Sequence, residues 1–129
     1  MGFLARLFGP RAPRVMPEHV DDTNFAEVIA RSSLPVVLDV WSPGCAPCRM
    51  MESVVMDLAS EYQGRVRVAE LNAAEATRYA ARLGVMGTPT VIFLARGREV
   101  HRVIGYVGLQ YLREVVEAEL LPRAAASSP

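Results

Sequence analysis

The chain contains no lysine, and all fourteen of its basic side chains are arginine. Chemistry that needs a lysine amine, such as a Schiff base, is therefore excluded. Fourteen acidic residues balance the arginines, so the formal net charge is zero. That balance argues against a nucleic-acid-binding surface. Cysteine is scarcer still: only Cys45 and Cys48 are present. One pair cannot be the disulfide framework of a secreted mini-protein, and 129 residues can bury a core without one. Long apolar runs are also missing. None reaches the roughly 18 residues of a membrane span, and the stretch Leu83 to Ala95 is broken by Gly84, Gly87, Thr88, Pro89 and Thr90. Arg6 interrupts the first apolar segment and no clear cleavage site follows it, which makes a poor signal peptide. Gly2 lacks the downstream Ser or Thr of a myristoylation site.

What is present reads as one domain between two tails. Residues 1–13 read as a flexible extension; the alternative is a weak membrane-surface contact through Phe3, Leu4, Leu7 and Phe8. Residues 122–129, rich in Ala, Ser and Pro, read as a frayed tail. The span 14–121 forms the domain. Val15 to Val20 predicts a short strand weakened by Pro17. Asn24 with Glu27 predicts a capping box for a helix to about Arg31. Pro35 to Trp41 is a near-continuous β-branched run, as in a strand covered on both faces. After Ser42-Pro43-Gly44, apolar residues at helical spacing predict a helix from Cys45 to Tyr62. Arg65 to Leu71 alternates as a strand. Asn72 with Glu75 predicts a second capping box, for a helix to Leu83. Thr90–Ala95 and Glu99–Ile104 predict a hairpin around Arg96-Gly97-Arg98. A last helix follows Gly108 and is expected to stop at Pro122. The order βαβαβαββα is an α/β domain with a mixed, partly parallel sheet and an antiparallel final hairpin. Met50, Met51, Met56 and Met86 read as core filler, and the scattered arginines as a solvated surface.

Cys45-Ala46-Pro47-Cys48 carries the chemistry. A lone Cys-x-x-Cys can be half a zinc site, a structural disulfide or a redox pair. Structural zinc needs about four ligands; there is no other cysteine, and His19 and His101 are far apart and unpatterned. No metal site is expected. A bridge across three residues closes too small a loop to stabilise much. A pair that follows a buried strand and opens a helix favours redox chemistry. At a helix N-terminus the free N–H groups and the helix dipole favour the Cys45 thiolate, which is the nucleophilic form. Cys48, one turn further in, is expected to be more buried and to resolve the mixed disulfide. Pro47 limits the backbone between them and suits a first helical turn.

From His19 to Leu121 the chain resembles the thioredoxin family. The resemblance is strongest in Val37-Leu-Asp-Val-Trp-Ser-Pro-Gly-Cys-Ala-Pro-Cys-Arg-Met50, then in Val68-Ala-Glu-Leu-Asn72 and Gly84-Val-Met-Gly-Thr-Pro-Thr-Val-Ile-Phe93. It implies the thioredoxin fold, three α/β/α layers, and reduction of protein disulfides. It further implies that Asp39 takes the proton from the resolving cysteine, that Trp41 packs beside the site, and that Pro89 is a cis-proline facing the dithiol. Gly87, Thr88 and Gly44 would contact substrate, with the Thr88 backbone pairing as an added strand. By resemblance no cofactor is bound and an NADPH-dependent flavin enzyme, thioredoxin reductase, supplies electrons to a cytoplasmic monomer. Four positions depart from the family. Gly44 stands for a tryptophan, Ala46 for a glycine, Ser53 for a helix-kinking proline, and Glu70 for a lysine near the buried acid. A straighter helix is expected from Ser53. Glu70 is expected either to raise the proton affinity of Asp39 or to swing to solvent or to an arginine. Two other readings of the chain are a partner-docking module with little turnover and a disulfide oxidase or isomerase.

Overall fold

The computed structural model describes residues 14–126; the expectations for residues 1–13 and 127–129 lie outside them. Five strands form one sheet: β1 (Glu18–Val20), β2 (Val36–Trp41), β3 (Arg67–Asn72), β4 (Thr90–Ala95) and β5 (Arg98–Ile104), in the spatial order β1-β3-β2-β4-β5. β1, β3 and β2 run parallel, whereas β4 and β5 are antiparallel additions on the other side of β2. Helical segments join consecutive strands from β1 to β4, and the first two of them are the crossovers that parallel pairing requires. The segments are α1 (Ala26–Ala30), a short π-helical segment, α2 (Ala46–Glu61) and α3 (Thr77–Arg82). The last helix, α4 (109–125), begins as Leu109–Val115, widens into π-type turns over Val116–Leu120 and resumes as Leu121–Ala125.

Alternation along the strands divides the interior into two cores. Val37 of β2 and Val91 and Phe93 of β4 face α2 and α4, where they meet Met51, Val55, Leu58, Leu112 and Leu120. Val36, Leu38 and Val40 of β2 and Ile92 and Leu94 of β4 face the other way, against Phe25, Ile29 and Ala80. This is the three-layer α/β/α thioredoxin fold. The period of two decides which side each polar residue of a strand occupies. Asp39 and Trp41 share parity with Val37, and Glu70 shares parity with Val68, so all three lie on the α2 side. Val20 belongs to the opposite core, which turns its neighbour His19 to the α2 side as well.

Several local expectations are corrected. The first strand spans only Glu18–Val20; Pro17 has no N–H to give the ladder, and the Val15 N–H goes to Ser60 Oγ at 2.9 Å. Neither capping box forms. Asn24 Oδ1 accepts from the Asp21 N–H and its Nδ2 donates to the His19 carbonyl, so Asn24 is committed to the preceding turn. Asn72 Oδ1 accepts from the Ala74 N–H in a side-chain-closed turn, and α3 starts later, at Thr77. Asp22, distant in sequence, caps α3 by accepting the N–H groups of Arg78 and Tyr79 at 3.2 and 3.0 Å. Pro122 does not stop the last helix, which continues to Ala125. Pro122 occupies the first turn after the π-type segment, where a missing N–H is tolerated. Of the four methionines read as core filler, Met51 is buried and Met56 partly so, but Met50 and Met86 are exposed. Several arginines are also tied down. Arg102 bonds both Glu99 and the Leu83 carbonyl at the end of α3, and Arg67 and Arg113 pair with Glu18 and Glu61. The hairpin is a two-residue turn with φ of 56° at Arg96 and 75° at Gly97. Glycine is required at the second position, because a Cβ there would lie 2.8 Å from the Ala30 carbonyl oxygen.

Candidate redox site

β2 ends at Trp41, and the loop Ser42-Pro43-Gly44 turns the chain into α2. Gly44 takes φ of +72° with nothing near its Cα substituent position, so backbone conformation rather than crowding favours glycine here. Cys45 is the N-cap of α2, Ala46 begins the helix, and Pro47 sits in its first turn, where no intrahelical N–H is needed. Cys45 and Cys48 are joined as a disulfide with Cα atoms 5.2 Å apart. Cys45 is partly exposed and Cys48 is buried. The Cys48 N–H donates to Cys45 Sγ at 3.2 Å. When the disulfide opens, that N–H and the positive end of the sixteen-residue α2 are aimed at the Cys45 sulfur and favour its thiolate. With Ser53 in place of proline, α2 is an unbroken α-helix.

The loop before β4 completes the rim. The Thr88–Pro89 peptide is cis. The Thr88 carbonyl oxygen lies 3.6 Å from Cys45 Sγ, and the Thr88 hydroxyl meets that of Ser42 at 2.6 Å. Gly87 is exposed on the same loop and its carbonyl accepts from the Thr90 hydroxyl. Gly87 and Thr88 thus lie on the rim beside Cys45.

Behind the disulfide lies a cavity of about 340 Å³, bordered by Met16, Trp41, Gly44, Cys45 and Cys48 and by the carboxylates Asp39, Glu52 and Glu70. Asp39 is only 5% exposed, and its Oδ1 has no hydrogen-bond partner among the described residues. Burial, with the Glu70 and Glu52 carboxylates adding to it, pushes the Asp39 pKa up to about 7. A buried acid that exchanges its proton near neutrality, on the same cavity as the inner cysteine, can take up and return the Cys48 proton. Glu70 goes neither to solvent nor to an arginine. Its Oε1 accepts from Trp41 Nε1–H at 2.6 Å and its Oε2 is 2.7 Å from His19 Nδ1.

The disulfide, Asp39, Trp41, Glu70, Gly44, Thr88 and Pro89 are thus gathered around one end of α2, as the residues singled out from sequence. Two participants escaped that reading. Glu52 stands four residues after Cys48, on the same side of α2, and helical spacing alone would have found it. His19 left no local signal; only the pairing of β1 with β3 brings it to Glu70.

The fold and the cysteine pair at a helix N-terminus define a protein of the thioredoxin fold. The Thioredoxin family model matches residues 16–118. The chain is 38% identical over 98 residues to a chloroplastic M-type thioredoxin of Pisum sativum, covering 76% of this chain and 57% of that protein. It is 37% identical over 101 residues to a thioredoxin of Synechocystis, covering 78% and 94%. To a thioredoxin of Haemophilus influenzae it is 33% identical over 87 residues, covering 67% and 81%. This chain belongs to the thioredoxin family. It spans a little under three-fifths of the pea and spinach chloroplastic relatives and nearly the whole length of the cyanobacterial ones.

Proposed function

We propose that this protein reduces disulfides in other proteins by dithiol–disulfide exchange. The observation that carries the reading is the Cys45–Cys48 pair at the N-terminus of α2, with the outer sulfur beside the Thr88 carbonyl and the inner one on the cavity that holds Asp39. The reduced Cys45 thiolate attacks one sulfur of a substrate disulfide. A mixed disulfide forms and the first substrate thiolate leaves. Cys48 gives its proton to Asp39 and attacks Cys45 Sγ. The Cys45–Cys48 bond forms and the second substrate thiolate leaves, so two electrons have passed to the substrate. An extended substrate strand lies along Gly87 and Thr88 while this happens.

Two electrons must then return to the disulfide. A flavin reductase drawing on NADPH, of the thioredoxin reductase type, is the proposed source, with no cofactor held by this chain. We place the protein in a reducing, cytoplasm-like compartment, acting as a monomer. No helix among the described residues is long and apolar enough to cross a membrane. The direct test is insulin reduction by the purified protein with dithiothreitol as electron source, beside Cys45→Ser. Turnover in the wild type that falls to the dithiothreitol background in Cys45→Ser is the expected result. Background rates from both proteins would point instead to a docking module or an oxidising role.

A further inference from the structure

Three titratable side chains stand side by side across the parallel half of the sheet. His19 of β1 pairs in register with Glu70 of β3, and Glu70 pairs in register with Asp39 of β2. All three occupy the α2 side, and neighbouring strands are only ~4.8 Å apart. Glu70 is the middle member. One of its oxygens holds the indole of Trp41 and the other holds the imidazole of His19. The His19 ring is half exposed, and its other nitrogen is 3.1 Å from Glu75 Oε1 and 3.9 Å from Asp21 Oδ2. Three carboxylates around one imidazole favour the imidazolium. Consistently, the His19 pKa lies above 6.5, chiefly through its hydrogen bond to Glu70.

We propose that His19 is a positioning residue for the redox site. Its imidazolium anchors the Glu70 carboxylate, which in turn fixes Trp41 and sets the charge that Asp39 faces.

The reason is electrostatic. Asp39 faces Glu70 from β3 and Glu52 from α2, with the Cys48 sulfur and Arg49 on the same cavity. His19 faces Glu70, Glu75 and Asp21. A lone Glu70 carboxylate beside Asp39 opposes ionisation of Asp39. An imidazolium on the far oxygen of Glu70 offsets part of that charge, so Asp39 gives up its proton at a lower pH than it would otherwise. This rests on the function proposed above, in which Asp39 accepts the Cys48 proton; His19 then reaches the chemistry without touching substrate or sulfur. It acts only through Glu70, and that makes the proposal separable from a role in folding.

The test is an NMR titration of the Asp39 carboxyl in the oxidised protein, in wild type, His19→Gln, Glu70→Gln and the double variant. In His19→Gln the Asp39 midpoint is expected to rise by roughly half a pH unit or more, and in Glu70→Gln to fall. In the double variant the His19 substitution should add nothing to the Glu70→Gln value. Resolution of the mixed disulfide by His19→Gln should be about threefold slower on the acid side of the profile, with its rising limb displaced to higher pH. Emission of Trp41, the one tryptophan, should change in His19→Gln and Glu70→Gln. His19→Lys keeps a cation on the same strand position and should leave the Asp39 midpoint at or below the wild-type value. The proposal is overturned by an unmoved midpoint in His19→Gln, by an equal shift with and without Glu70, or by a rise in His19→Lys.

Discussion

Asp39 is the residue at which fold stability and chemistry conflict. Its strand is otherwise apolar, and its own carboxyl is buried with one oxygen unpaired among the described residues. In the unfolded chain such a carboxyl titrates near 3.8, whereas in the folded protein burial and the two neighbouring glutamates move it to about 7. A raised folded-state value means that the folded form binds the proton more tightly. The stability contributed by protonated Asp39 is therefore complete below about pH 4 and is lost as the pH rises toward and through about 7. Asp39→Asn removes the titration. Its unfolding free energy should match wild type near pH 4 and exceed it at pH 8, by an amount on the order of 2–4 kcal/mol. Resolution of the mixed disulfide by that variant should be slower and should lose its dependence on pH around neutrality. Calorimetry across pH and single-turnover kinetics check the two halves of this expectation. The family resemblance singled out Asp39 in the sequence. It gave no hint of Oδ1 being left without a partner, since that depends on what the opposing elements fail to supply.

At the scale of elements, the strands, the helix bodies and the starts of α2 and α4 were legible, whereas the starts of α1 and α3 were not. β2 and β4 are nearly continuous apolar runs, and their observed bounds agree with the pattern within a residue. α2 is similarly plain, because Met51, Val54, Val55 and Leu58 repeat at helical spacing over about two turns. The two capping boxes failed for one physical reason. An Asn side chain can close a local turn as readily as it can cap a helix, and the tertiary path decides between them. α3 is short and takes its cap from Asp22, which lies 56 and 57 residues from the N–H groups it serves. Asp22→Ala should therefore cost about 1 kcal/mol of global stability, although residue 22 lies outside α3. A urea midpoint lowered with an unchanged slope, and faster amide exchange at Arg78 and Tyr79, would register the loss. Unchanged exchange at those two amides would show that the cap contributes nothing.

For the molecule as a whole, two cores on either side of one sheet hold the redox end of α2 in place. Phe93 is fully buried in the α2–α4 core and meets His101 edge-on with ring centroids 5.6 Å apart. Phe93→Ala should cost about 3–5 kcal/mol, because the packed strand and helices cannot collapse onto the space left behind. Equilibrium unfolding in urea measures this. Asp39→Asn should move the same measurement the other way at pH 8, which separates the demands of packing from those of the site. The arrangement of strands also explains the limits of reading the chain residue by residue. The sequence by itself determined the alternation of strands and helices, the two faces of each strand, and the placement of a dithiol where a buried strand gives way to a helix, because these follow from local periodicity and backbone chemistry. Only the tertiary structure decided that β1 lies against β3 in the register that joins His19 to Glu70 across 51 residues, and Glu70 to Asp39. Strand register is a long-range choice made by the packing of both cores at once, and no short stretch of sequence carries it.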